Sequence, residues 1–175
     1  MAFSAKAVAN FFLRKAKDEE GAYSLSPMKI QKLVFFAHGW HLALSDDAPL
    51  INELVQAWPY GPVIPSLYHE FKHFGNSPIT ALATKLKWGD NVKKTGKVRE
   101  YNPTIPTEGN EQLIELLDKV WSVYKKYSAV QLSNMTHAPG APWSTVSEKY
   151  PNGIPKGAVI DNKIISAYFK SQKQK

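Results

Sequence analysis

His69-Glu70-Phe71-Lys72-His73 is the string in this chain that comes nearest to a catalytic centre. On a helix, H-E-x-x-H puts two imidazoles on one face with a carboxylate beside them. That supplies two zinc ligands and a general base for a metal-bound water. The surroundings argue against this use. A tetrahedral site needs a third protein ligand, and the candidate is Glu111, beside Asn110 and far along the chain. A continuation ending in a third histidine fails, because Gly75 comes one place early and position 79 is Ile. Lys72 sets a cation in the gap, where it would oppose a divalent metal. An amphipathic helix with two histidines on its polar face explains the string without a metal.

The remaining histidines read the same way. His38 and His41 lie three apart on a strongly apolar segment, as core histidines with one ring nitrogen hydrogen-bonded. His137, beside Pro139-Gly140, reads as the brace of its own loop. Gly89-Asp-Asn-Val-Lys-Lys-Thr-Gly-Lys97 has the look of a phosphate loop, but its glycine spacing is wrong. Val98 also stands where a magnesium-binding hydroxyl belongs. There is no G-x-S-x-G elbow and no set of paired carboxylates. The expectation is no catalytic residue, no metal and no cofactor.

Charge is the more informative feature. The formal net charge is +7. Lys85, Lys87, Lys93, Lys94, Lys97 and Arg99 against Asp90 alone concentrate +5 of it between residues 85 and 99. Such a patch suits an acidic protein surface, a nucleic acid or an anionic membrane face. Trp88 and Tyr101, interleaved with the cations, are the ingredients of a single-strand nucleic-acid platform, but no recognisable module surrounds them. A nucleic acid is therefore not the expected partner.

The elements that must position these residues are helical. Ser26-Pro27 opens a helix to Leu44, in which Ile30, Leu33, Val34, Ala37, Trp40, His41 and Leu44 recur at three- and four-residue steps. Phe35 and Phe36 widen that face until little is left for solvent. Ser4 caps an amphipathic helix over residues 4–17. A third helix runs from about Pro62 or Pro65 to His73 and stops at Gly75. Asn110 caps a helix over 110–126 and Ser128 one through Met135, and a last helix runs from Asp161 through Tyr168 and Phe169. Glu53–Trp58 alternates loosely, like a short strand before the corner Ala57-Trp-Pro-Tyr-Gly-Pro-Val63. Thr136–Trp143 reads as a loop stiffened by two prolines. Residues 76–107 lose the helical period, and Thr95-Gly96 between short apolar stretches suits a β-hairpin or a basic loop equally well.

The fold class expected is mainly α: a compact single-domain helical bundle over residues 1–175, with a small β-hairpin or irregular basic insertion around residues 80–105. The chain has no cysteine, which excludes disulfides and fits a reducing compartment. No apolar run approaches the ~20 residues that span a bilayer. A cytoplasmic protein without a membrane partner is expected.

Four segments in series carry a resemblance. They are Lys29-Ile-Gln-Lys-Leu-Val-Phe-Phe-Ala-His-Gly-Trp-His-Leu42, then Glu53-x-x-Gln-Ala-Trp-Pro-Tyr-Gly-Pro-Val-Ile-Pro65. Leu67-Tyr68 with Phe71-Lys72 and Gly75 follow, and last Tyr127-Ser-Ala-x-x-Leu-Ser-x-x-Thr-His-x-x-Gly-Ala-Pro-Trp143. In this order they resemble the Panacea domain of the SocA-like antitoxins, which is shared with GepA-type phage-associated proteins. The resemblance runs from about residue 25 to residue 170. Its signature falls on Gln31, Lys32, Trp40, Trp58, Tyr60, Gly61, Pro62, Pro65, Tyr68, Thr136, His137, Pro142 and Trp143. The family places a tyrosine or phenylalanine and a variable polar residue where Phe36 and His38 stand here. The family motif does not require His69 and His73.

The resemblance implies an antitoxin that neutralises a cognate protein toxin by direct contact, or, in some relatives, delivers it to a cellular protease as an adaptor. It brings no catalytic residues. On this reading Trp40, Trp58, Tyr60, Trp121 and Trp143 are mostly framework. Partner contact is expected from Lys85, Lys87, Trp88, Lys93, Lys94, Lys97, Arg99 and Tyr101, the types that favour encounter and hot spots. The alternatives are a prophage-encoded zinc metalloprotease acting through His69-Glu70-x-x-His73, and a basic nucleic-acid-binding protein.

Overall fold

A computed structural model describes residues 2–19, 23–88 and 98–173, with Trp88 described in its backbone only. Helix α2, Pro27–Leu44, is the axis of the molecule. Twelve of its eighteen residues are buried, so it needs partners on nearly every side. It finds them in α1 (Ala5–Asp18), α3 (Pro65–Phe71), α4 (Glu111–Tyr124), α5 (Ala129–Thr136) and α7 (Asn162–Gln172). Ser26 accepts a hydrogen bond from the Lys29 amide and Pro27 fills the first turn, as the sequence predicts.

Gly39 explains how α7 comes so close. A β-carbon there would lie 2.1 Å from the Phe169 ring. In its absence Phe169 packs edge-on to Phe35, Phe36 and Trp40. On the other flank Phe36 stacks on Tyr124 with ring centres 4.4 Å apart, and the Tyr124 hydroxyl accepts from Trp40 Nε1 at 3.0 Å. Phe12 of α1 stacks on Trp121 of α4, so α1, α2 and α4 share one aromatic core.

Two small antiparallel hairpins complete the fold. In the first, β1 (Gln56–Trp58) pairs with β2 (Gly61–Val63). The segment before α7 adds a bridge between Gln56 and Val159, with Ala57 N donating to Ala158 O. In the second, β3 (Lys85–Trp88) pairs with β4 (Val98–Tyr101), which decides between hairpin and irregular loop in favour of the hairpin. The expected Thr95-Gly96 turn lies outside the described residues.

The structure differs from the sequence reading in several local respects. Gly61–Val63 is strand, and the third helix starts only at Pro65. The Thr136–Trp143 loop gives way at Pro142 to a short helix, α6 (Pro142–Ser147). Asn110 does not cap α4 with its side chain. Its amide donates to Glu108 O, and the Glu111 carboxylate turns back onto the Gly109 amide instead. Leu44 is half exposed where the helix ends, while Lys29, Gln31 and Lys32 are buried. Periodicity counts apolar residues, and it cannot see that buried polar side chains will meet backbone carbonyls. No helix among the described residues is long and apolar enough to cross a membrane.

Candidate partner-binding surface

The β3–β4 ribbon is rooted by a residue that carries no charge and lies far from it in sequence. Asn10 of α1 is wholly buried and satisfied on both sides of its amide. Its Nδ2 donates to Ala83 O and Pro103 O, each at 3.0 Å, and its Oδ1 accepts from Ala83 N at 2.7 Å. Both strand ends are thereby tied to α1. Asn102 Nδ2 closes the base with a further bond to Ala83 O at 3.1 Å. Glu70 of α3 accepts from the Thr84 amide at 2.7 Å and pairs closely with Lys6, whose Nζ also donates to Thr84 O at 2.9 Å. Burial raises the Glu70 carboxyl, but Lys6 and the Thr84 amide outweigh it and hold it below the usual carboxylate range.

Beyond that base no described residue covers the ribbon. All four β4 residues are exposed, and none of the described side chains of β3 is buried. The register pairs Lys85 with Tyr101, Leu86 with Glu100, Lys87 with Arg99 and Trp88 with Val98. Paired residues share a face and successive residues alternate. Lys85, Lys87, Arg99 and Tyr101 therefore form one face, cationic with an aromatic corner. Leu86, Val98 and Glu100 form the other. Lys87 directly opposite Arg99 is a like-charge pair, which costs the free ribbon stability.

The β1–β2 corner is built in the opposite way. Gln31 of α2 clamps it, accepting from Ile64 N at 2.9 Å and donating to Ile64 O at 3.1 Å. Lys32, only 1% exposed, sends Nζ to Tyr60 O at 2.8 Å and Pro62 O at 3.2 Å. Burial draws its pKa down from 10.5 to about 7. Gly61, at φ +104°, passes so close that a β-carbon would lie 2.6 Å from Lys32 Nζ and 2.7 Å from Thr136 Oγ1. From the far side Ser133 Oγ donates to Tyr60 O at 3.1 Å, and Trp143 Nε1 to Trp58 O at 2.7 Å. His137 Nδ1 donates to Ser133 O at 2.7 Å while its ring lies 4.0 Å from that of Trp143. Its carbonyl accepts from Ser144 Oγ at 3.0 Å, so it braces its loop as the sequence suggests.

With this geometry in hand, comparison with known proteins is informative. The family described as "Antitoxin SocA-like, Panacea domain" matches residues 30–144. Antitoxin SocA of Caulobacter vibrioides (strain NA1000 / CB15N) is 30% identical over 169 residues, covering 97% of this chain and 84% of its own length. The chain belongs to the SocA-like antitoxin family. No solved structure matches it.

The Panacea signature residues thus converge on the corner. Gln31 and Lys32 from one helix, Thr136 and His137 from the end of a second and Trp143 from a third surround Gly61 and Pro62 of the corner. Tyr60 is a correction to its reading as framework. Its carbonyl is held twice, but its ring is 75% exposed, the most open large apolar side chain of the molecule's described residues. Trp58 lies edge-on to the half-exposed Tyr68, and Trp40 belongs to the α2–α7 core.

The metalloprotease alternative is contradicted. The α-helix ends at Phe71, and His73 falls in a 3₁₀ turn over Lys72–Phe74, so the two imidazoles lose their shared helical face. His73 lies against Phe74, His69 against Tyr68, and Glu70 is taken by Lys6 and Thr84. Among the described residues no group of three or more His, Asp or Glu side chains is placed to hold a metal. His38 and His41 do not pair on one ion either. His38 Nε2 donates to Asn162 Oδ1 at 3.0 Å, and His41 Nδ1 donates to Ala48 O at 2.9 Å.

Of the expected contact residues, Lys85, Lys87, Arg99 and Tyr101 are brought onto one face. Lys93, Lys94 and Lys97, and the side chain of Trp88, lie outside the described residues. Asn10 and Lys6, which position that face, escaped the sequence reading and precede the matched region. The signal for Asn10 was there: one amide inside the run Ala7-Val-Ala-Asn-Phe-Phe-Leu13, which has no other polar side chain.

Proposed function

We propose that this Panacea domain, acting as one unit over its 175 residues, neutralises a partner toxin by direct protein contact. The contact surface is the face of Lys85, Lys87, Arg99 and Tyr101. The observation that carries this reading is the uncovered cross-strand pair of Lys87 and Arg99 on a firmly rooted ribbon. Such a pair weakens the free hairpin and is relieved by an acidic partner, which it would also steer into encounter.

The test is co-expression with the protein of the adjoining reading frame, followed by association kinetics. Reversal of Lys85, Lys87 and Arg99 to Glu should slow association by about tenfold or more at low salt and flatten its salt dependence. Unchanged kinetics would reject the surface. Growth rescue that persists in cells lacking their cytosolic proteases supports neutralisation by contact. Rescue that disappears there favours delivery to a protease.

A further inference from the structure

Among the described residues nothing lies over either face of the ribbon. A surface hairpin ordinarily lays one face on the body of its protein, and the buried face is then the apolar one. Here Leu86 is 61% exposed and Val98 38%, on the face opposite the cations. A two-stranded ribbon standing alone is marginal in water. This one owes its position to the hydrogen bonds at its base, from Asn10, Asn102, Lys6 and Glu70, and to little beyond them. A partner laid flat on the cationic face would leave Leu86 and Val98 in solvent. A nucleic acid would satisfy Lys85, Lys87 and Arg99, but it has no use for an apolar back that carries Glu100.

From the two-faced, uncovered β3–β4 ribbon we infer that the partner toxin admits it into a cleft, with carboxylates on the wall that meets Lys85, Lys87 and Arg99 and apolar side chains on the wall that meets Leu86 and Val98. This rests on the antitoxin reading above and says what kind of surface the toxin must offer. The inserted ribbon buries both faces at once, so the like-charge pair and the exposed apolar pair are relieved together. A cleft entered this way is blocked to anything else that uses it, and neutralisation follows by occlusion.

The experiment uses the full chain and the toxin of the adjoining reading frame, with two variants of the antitoxin: K85E/K87E/R99E and L86S/V98S. All five positions are solvent-accessible, and unchanged thermal melting checks that each variant folds. Insertion requires each variant to raise the Kd for the toxin at least tenfold, the first through slower association and the second through faster dissociation. If L86S/V98S binds as the wild type does while the charge reversal fails, the ribbon docks by one face and insertion is overturned. If neither variant matters, the lysines only guard an open strand edge, and the ribbon is not the contact surface. Steeply salt-dependent binding to duplex DNA that L86S/V98S leaves intact would overturn it in favour of nucleic acid. Should the wild-type chain neither bind the toxin nor rescue growth, it is the antitoxin reading itself that fails.

Discussion

The two hairpins are alike in size and do opposite things. Each joins two strands of three or four residues, and a lysine is central to each: Lys32 reaching the corner from α2, and Lys87 within the ribbon itself. In the corner, every residue of β2 is buried; in the ribbon, every residue of β4 is exposed. Lys32 spends its charge on two backbone carbonyls inside the protein, while Lys87 faces Arg99 in water. The difference lies in what is placed on top. Helices α2, α5 and α6 close over the corner, and none of the described residues closes over the ribbon. The corner cannot vary without disturbing three helices. Beyond its root the ribbon carries no such constraint from the described residues.

This contrast can be broken most directly at Gly61. Gly61→Ala forces a side chain into a positive-φ position and against Lys32 and Thr136, and should cost about 3 kcal/mol or more in denaturant unfolding. Loss of less than about 1 kcal/mol would mean that the corner is far softer than its packing suggests. Asn10→Ala removes three hydrogen bonds and leaves the buried Ala83 amide and the Pro103 carbonyl unmet, while Ala83 O keeps its bond from Asn102. A cost of about 2–3 kcal/mol is expected, together with faster amide exchange in residues 83–86 and 98–102 than in α2. Uniform acceleration throughout would show that Asn10 supports the whole core and not the ribbon root.

Lys32→Met sharpens the comparison through pH. The folded amine titrates near 7 and the unfolded one near 10.5, so between these values only the unfolded chain binds the extra proton. Stability gained from the depressed pKa is complete above 10.5 and is lost as pH falls towards 7. The denaturation midpoint of the wild type should therefore rise from pH 7 to pH 10, and the methionine variant should show a flatter profile. At pH 7 the variant should be less stable by about 1–2 kcal/mol, because Pro62 O loses its donor and Tyr60 O keeps only Ser133. His38 acts with the same sign in a lower window. Burial depresses its pKa below 6.5, and its Nδ1 finds no partner among the described residues. Acidification below 6.5 should thus erode stability in the wild type, and less so in His38→Gln, as read by thermal melting in mildly acidic buffers. The smallest effect belongs to the ribbon. K85E/K87E/R99E should change folding stability by no more than about 0.5 kcal/mol, even as it disables partner binding. A large destabilisation would show that the ribbon's cations serve the fold.

Much of this architecture was legible in the chain. Ser4, Ser26, Ser128 and Asp161 cap the helices they announce, and Ser128 with Gln131 makes a reciprocal capping box. Those signals are local, and local chemistry sets them. Asn110 fails as a cap because its side chain turns back to donate to Glu108 O and accepts from none of the helix's first amides. H-E-x-x-H misled for a different reason. The string presumes a helix that continues, and this one tightens after Phe71, with Glu70 drawn off to Lys6 and Thr84.

By itself, then, the sequence determined the helices, their caps, the apolar axis of α2 and the kinship with the SocA-like antitoxins, because each of these rests on spacing along the chain. Only the tertiary structure decided which lysine is buried and which is free, that Tyr60 turns outward, and that Asn10 holds a hairpin seventy-three residues away. A polar side chain's fate is set by the carbonyls and amides brought to it from distant segments, and spacing along the chain carries no record of them.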